Sequence, residues 1–207
     1  MTVLSTKERI LNTTEQIISE KGFSSISLRT ISTTAKTNLA AVNYHFGNKE
    51  KLIERMIERR MDNLFQLRLS LLDELEAGSK KPCNLRQVLE AFIAPALTMS
   101  NDNHQGGKRF MLVLARAYAE KSEFLHNLLT NRYAEVIKRF ASAIKRSSPH
   151  LDNQTVFWRF HFIMGSLIYV MSDFGASSRA SELSDKEYFN TCCKELIDFA
   201  VCSLTKS

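Results

Sequence analysis

Ser27-Leu28-Arg29-Thr30-Ile31-Ser32-Thr33-Thr34-Ala35-Lys36-Thr37-Asn38-Leu39-Ala40-Ala41-Val42-Asn43-Tyr44-His45-Phe46-Gly47-Asn48 is the stretch that decides how this chain folds. It reads as two short helices, Leu28–Lys36 and Asn38–Phe46, joined by a tight break. Ser27 and Asn38 stand at the two helix starts, where a side-chain oxygen accepts an otherwise unpaired backbone N–H. Gly47 stands where the second helix stops, and Asn48 opens another. At about 100° per residue, Val42 and Phe46 fall on the same side as Ala35. Ala40, Ala41, Asn43 and Tyr44 fall on the opposite side, with Leu39 at the rim. Two helices of this size and spacing make a helix-turn-helix, whose second helix enters the major groove of DNA. Small outward residues let the helix backbone approach base edges. Asn43 has the amide for a bidentate contact to adenine, and Leu39 or an alanine fits a thymine methyl. Ser27, Arg29, Thr37, Tyr44, His45 and Lys49 carry the donors that hold phosphates.

Outward from this stretch the apolar spacing stays helical. Ser5 and Glu8 have the three-residue spacing of a capping box ahead of Ile10, Thr14, Ile17 and Ile18, and Gly22 marks that helix's end. From Asn48 a long helix runs on, with Leu52, Met56, Ile57, Met61, Leu64, Phe65, Leu71, Leu72 and Leu75 inward. Gly78–Pro82 reads as a loop. Further helices are predicted at Leu85–Thr98, Lys108–Ala119, Glu123–Arg146, Asn153–Ser172 and Asp185–Leu204, with a polar loop over Ser100–Gly107. Pro95 predicts a bend in the first of these. Ser184 and Glu187 form a second capping box. The expected fold is all-α, about nine helices, the early ones short and the later ones longer and more apolar.

The chain has 207 residues, enough for one or two domains, and its 7 Gly and 3 Pro are too few for a turn-rich β fold. Lys and Arg outnumber Asp and Glu by 28 to 22, which suits a polyanionic partner. Residues 1–50 carry six Lys or Arg against four Glu, a modest excess. The four cysteines form no C-x-x-C pair and read as reduced thiols of a cytoplasmic protein. The N-terminus has no apolar signal core. Phe157–Met171 is the most apolar run, but it is short of the roughly 20 residues a span needs and carries Arg159 and His161. It reads as a buried helix, with no membrane partner. No G-x-S-x-G, P-loop or G-x-G-x-x-G occurs, so an enzyme is not expected and no catalytic residue or cofactor is assigned. His45 has Ala41, Val42, Asn48 and Lys49 at the flanking helical positions, so no metal site is expected.

Gly22-Phe23, Ser27–Ile31, Ala35 and the run Asn38–Leu52 together resemble the DNA-binding domain of the TetR family of transcriptional repressors. The resemblance covers residues of about 5 to 55. It implies a helix-turn-helix domain over 1–50 and a helical ligand-binding and dimerisation domain over 51–207, linked by the helix from about 48 to 76. It further implies a homodimer formed through the last two helices, a palindromic DNA operator, and release of DNA when a small molecule fills the C-terminal domain. Two residues depart from the family pattern: Lys36 stands where glycine is usual, and Thr37 replaces an aliphatic residue. A position with φ > 0 costs a non-glycine residue on the order of 1 kcal/mol. Asn43 stands where many relatives have tyrosine, so their operators do not transfer.

Asn38–Gly47 together with Phe157–Gly165 is also similar to the PsrA group within that family, which is linked to fatty-acid metabolism. The ligand implied is a long-chain fatty acid or its coenzyme A thioester. The chain's own chemistry points the same way. Phe92, Met99, Phe110, Met111, Leu114, Tyr118, Phe124, Leu128, Tyr133, Met164 and Ile168 are large adaptable apolar groups, and Arg116, His161 or Tyr118 has the donor for an acidic head. A flat aromatic or cationic drug, as for an efflux or stress regulator, is the alternative. His161, Trp158 and the aromatic eighth helix also suit a plain core, and Gly165 suits a close approach of helices at a dimer interface.

Overall fold

Apolar residues three and four apart, bounded by Ser and Asn caps, become nine α-helices among the described residues. The computed structural model describes residues 4–78, 82–102, 106–120, 123–172 and 183–206. The helices are α1 Thr6–Lys21, α2 Leu28–Thr34, α3 Leu39–Phe46, α4 Lys49–Ala77, α5 Leu85–Asn101, α6 Gly107–Ala119, α7 Glu123–Ser147, α8 Asn153–Ser172 and α9 Asp185–Thr205. A 3-10 turn, Phe23–Ser25, lies between α1 and α2. Ser184 and Glu187 close a full capping box on α9. At α1 half of the expected box forms: Ser5 Oγ accepts the Glu8 N–H at 3.2 Å, while the Glu8 carboxylate is held by Arg59 at 2.7 Å. Each such cap stabilises its helix by about 1 kcal/mol.

The chain divides into two compact units. The first contains the residues up to Asn63 together with Arg109–Leu128. Here α1 packs on α2 and α3. Ile10, Ile18, Ile31, Val42, Leu52 and Ile57 are fully buried, and α6 contributes Phe110, Met111 and Val113 to the buried set. Fully burying such a side chain stabilises the fold by roughly 1.5–3 kcal/mol. Glu15 is also buried, at 1 % exposure. Two guanidinium groups compensate it: Arg59 at 2.9 Å and Arg60 at 3.4 Å. Arg59 further binds Glu8 and the Asn12 amide oxygen, which ties α4 to α1.

The second unit contains Leu64–Lys108 and Leu129–Ser207. In it α5 packs on α8 and α9, and α8 on α9. The Phe92 ring meets Phe140 and Phe160, each with centroids 5.0 Å away, and Phe65 stacks on Tyr133 at 4.3 Å. Helix α5 runs on to Asn101, past the end expected at Thr98, and continues through Pro95. Its last turn is held because Ser100, fully buried, donates its hydroxyl to Leu97 O at 2.6 Å. Gly107 then opens α6 where a Cβ would stand 1.8 Å from Met99 O, closer than any side chain tolerates. Helix α8 corrects the reading of a wholly buried element. Val156, Phe160, Ile163, Leu167 and Met171 are buried, but Phe157, Trp158, Phe162 and Tyr169 stand on an exposed face. A continuous apolar run had hidden a two-faced helix. Among the described residues, no helix is long and apolar enough to cross a membrane, and no cluster of His, Cys, Asp or Glu could hold a metal ion.

Candidate nucleic-acid interface

The first unit presents α3 by fixing both of its ends. Ser27 Oγ accepts the Thr30 N–H at 3.0 Å and starts α2. At the turn, Lys36 N–H reaches Thr33 O and Thr37 N–H reaches Ser32 O. Lys36 holds φ +50, the left-handed conformation that glycine adopts without strain. Asn38 Oδ1 accepts the Ala41 N–H at 2.6 Å and starts α3. Gly47, at φ +75, ends it, and Asn48 Oδ1 accepts the Lys51 N–H at the start of α4.

Between those ends the expected two faces appear. Val42 and Phe46 are buried, as is Ala35, where α3 packs on α2. Leu39, Ala40, Asn43, Tyr44 and His45 are exposed, and Ala41 is half-buried. Tyr44 is 87 % exposed, more than any other large apolar side chain among the described residues, with its ring edge-on to His45 at 5.3 Å. Ser27, Arg29 and Asn38 are exposed; Thr37 and Lys49 are half-buried. The Ser27 and Asn38 oxygens are spent on capping, so the Asn38 amide N–H₂ is what remains to donate outward. The face offers donors and small side chains with no carboxylate among them.

Two polar grips hold the end of α1 in the same unit. Arg116 on α6 donates to Ser19 O and Glu20 O, both at 3.1 Å, at the end of α1. Just past α6, the Glu120 carboxylate accepts the Phe23 N–H at 3.1 Å. Gly22 lies between, at φ +82, where a Cβ would stand 2.4 Å from Glu120 Oε1. Arg116, one of three donors expected for an acidic ligand head, has its Nε and Nη2 engaged on α1.

The residues read as ligand-binding divide between the units. Phe110, Met111, Leu114, Arg116, Phe124 and Leu128 lie in the first, and Phe92, Met99, Tyr133, His161, Met164 and Ile168 in the second. The Tyr118 side chain lies outside the described residues. Phe92, Phe110, Met111 and Tyr133 are buried in side-chain packing. His161 and Met164 share a groove of about 600 Å³ between α7 and α8, with Phe160, Ile137, Lys138 and Lys145.

The chain matches two family models: bacterial regulatory proteins of the tetR family over residues 10–56, and the tetracyclin repressor-like C-terminal domain over residues 90–202. The second covers more than half of the chain. This protein belongs to the TetR family. Among relatives, the transcriptional repressor NicS of Pseudomonas putida is 36 % identical over 76 residues. YttP of Bacillus subtilis, described as a probable HTH-type transcriptional regulator, is 35 % identical over 54 residues. The matched stretches span 36 % and 26 % of those proteins' lengths, so the chain's likeness to them is confined to about a third or less of each. Solved structures that share the fold over nearly the whole chain include the following two. The ketosteroid transcriptional regulator KstR2 of Mycobacterium tuberculosis has TM-score 0.70 at 14 % identity, covering 100 % of this chain and 98 % of that one. The fatty acid degradation regulator FadR of Bacillus halodurans has TM-score 0.60 at 12 % identity, covering 95 % and 97 %.

One charged side chain of this TetR-family protein escaped sequence reasoning. Arg68 is 4 % exposed, on the second unit's part of α4. Its Nε donates to Phe92 O at 2.8 Å, three residues before Pro95 in α5. Its guanidinium lies over the Phe92 ring at 3.8 Å and near the Phe65 ring at 5.3 Å. Burial lowers its pKa to about 9. Ring contacts of this kind return about 2 kcal/mol when desolvated, against several kcal/mol to bury the ion. In sequence, Arg68 sits one helical step from Leu64, Phe65, Leu71 and Leu72, which was the available signal.

Proposed function

We propose that this chain is an operator-binding transcriptional repressor that acts as a cytoplasmic homodimer and leaves DNA when a small apolar ligand binds. Residues 1–50 would read DNA and residues 51–207 would hold the ligand and the partner copy. The observation that carries the reading is α3: Val42 and Phe46 buried, Asn43, Tyr44 and His45 exposed between two side-chain caps. In the major groove Asn43 would face a base, while Arg29, Thr37, Tyr44, His45 and Lys49 would hold phosphates. A single short helix reads few base pairs, so a palindrome read by two copies supplies the specificity. The exposed α8 side chains Phe157, Trp158, Phe162 and Tyr169, with Phe199 of α9, support a face shared with a second copy. Gly165 is on that helix with nothing within 4 Å of where its Cβ would be.

A fatty acid or acyl-coenzyme A is the ligand class we favour, from the similarity to the PsrA group and the large apolar side chains of the second unit. The test is selection of bound sequences from a random duplex pool with the purified protein. A two-fold symmetric motif is expected. Recovery of no preferred sequence would overturn the reading. Titrating the selected operator complex with acids of increasing length should release the protein more strongly as the chain grows; stronger release by planar cationic drugs would replace the fatty-acid reading.

A further inference from the structure

Arg68 differs from the carboxylate-paired arginines of the second unit, and from the half-buried Arg159, which donates to Ser203 O and Lys206 O, in the depth of its burial. Arg86 pairs with Asp198, Arg139 with Asp73 and Glu76, and Arg146 with Glu76. All of these are at least partly exposed. The most deeply buried one has no carboxylate partner among the described residues. One of its nitrogens, Nε, is satisfied by Phe92 O. Nη1 and Nη2 make no hydrogen bond to any described residue. The first unit shows the usual arrangement by contrast, where the buried Glu15 is gripped by two arginines.

An arginine is a costly way to fill a space between two phenylalanine rings, because methionine packs the same volume without a charge. What arginine adds is a planar fork with two parallel N–H groups that match a carboxylate. With Nε anchored on the α5 backbone and the guanidinium carbon over the Phe92 ring, the fork is held in place. A guanidinium fixed in this way, in apolar surroundings and without a counter-ion among the described residues, is built to receive one. We infer that Arg68 is the residue that receives the carboxylate of an acidic apolar ligand in the second unit, an inference that rests on the ligand-release reading above. It takes the place offered to Arg116, whose guanidinium is occupied by Ser19 and Glu20 carbonyls. The ligand class follows from the fork and its apolar surroundings: a single carboxylate on an apolar body, held by Arg68.

The test uses the full chain without DNA, so that it stands apart from operator binding. Decanoate and decanol, each below its aggregation limit, are titrated calorimetrically into the native protein, Arg68→Met and Arg68→Lys. The native protein is expected to bind decanoate about tenfold or more tightly than decanol. Arg68→Met should bind both alike, with decanol affinity within about threefold of native, and should melt no lower than native. Arg68→Lys should keep part of the preference, since it retains charge but not the fork. An acid preference that survives in Arg68→Met overturns the inference, as does failure of decanoate to bind the native protein. A lowered melting temperature of Arg68→Met with the preference intact would make Arg68 a structural pin. If decanoate binds through Arg68 yet leaves the operator complex intact, the assignment of Arg68 stands and the ligand-release reading fails.

Discussion

Lys36 carries the one positive φ among the described non-glycine residues. Left-handed backbone presses its Cβ toward the following carbonyl, so Lys36→Gly should stabilise the protein by about 1 kcal/mol, read from denaturant midpoints at constant slope. A midpoint that stays or falls would mean that the turn gains from the lysine side chain. On α3, Asn43→Ala should weaken operator binding by about 1–3 kcal/mol and relax discrimination at one base position. Lys49→Ala should weaken all sequences alike and flatten the salt slope by about 1. Arg68 carries a pH signature of its own. Its folded pKa, about 9, lies below its ordinary value, so above pH 9 the unfolded chain holds the proton that the folded chain has released. Native stability should then rise relative to Arg68→Met by about 1 kcal/mol per pH unit, and a flat difference across pH 8.5–10.5 would deny the burial effect. The α3 residues were legible in sequence because their faces follow from helical period alone. Arg68 was not, because an arginine at an inward position reads equally as one reaching out to water.

At the scale of elements, the starts of α2, α3 and α4 and the end of α3 were legible because Ser27, Asn38, Gly47 and Asn48 act on their own neighbours, whereas α2 stops at Thr34, short of the expected Lys36. Helix α5 outran its expected end because Ser100, polar in sequence, satisfies its hydroxyl within the helix. The grip on α1 was hidden for a different reason: Arg116 and Glu120 lie about a hundred positions from Ser19 and Phe23, and no local pattern links them. That grip predicts how α1 ends. Three orphan groups are served together, the Ser19 and Glu20 carbonyls and the Phe23 N–H. Glu120→Ala should cost about 1–3 kcal/mol by leaving the half-buried Phe23 N–H without its acceptor. Gly22→Ala should cost at least as much, since φ +82 disfavours any side chain and the new Cβ would displace Glu120. If Glu120→Ala unfolds at the native midpoint, solvent replaces the carboxylate freely and the grip contributes nothing. Both variants keep every residue of the α3 face, so any loss of operator binding beyond the stability change would report the orientation of α2 and α3.

For the whole molecule, length and composition gave the all-α class, and periodicity gave nearly every helix. The division into units was less legible. Helix α4 runs unbroken past residue 50, as expected of a linking helix from about 48 to 76, while the grouping of Arg109–Leu128 with the N-terminal residues is what no local pattern foretold. Those contacts join segments far apart in sequence, which neither propensity nor period records. The exposed α8 face carries the last prediction. Phe157, Phe162 and Tyr169 are each at least 60 % exposed, Trp158 is 48 % exposed, and Phe199 of α9 is 54 % exposed. Monomeric proteins rarely expose so many large apolar groups on two adjacent helices. Two copies pairing there would bury them in an isologous contact, each residue meeting the partner's equivalent surface. An obligate interface of this kind is centred on aromatic anchors, so one charge at its middle is enough to separate the copies. Phe162→Glu, at a position exposed in the single chain, should leave helicity and the unfolding slope unchanged. It should convert a sedimenting dimer at micromolar concentration into a monomer. Operator affinity should fall with it, by about a hundredfold or more, because one α3 then reads a single half-site. Native protein that sediments as a monomer while binding its operator, or a Phe162→Glu variant that remains dimeric, would move the interface elsewhere on the molecule.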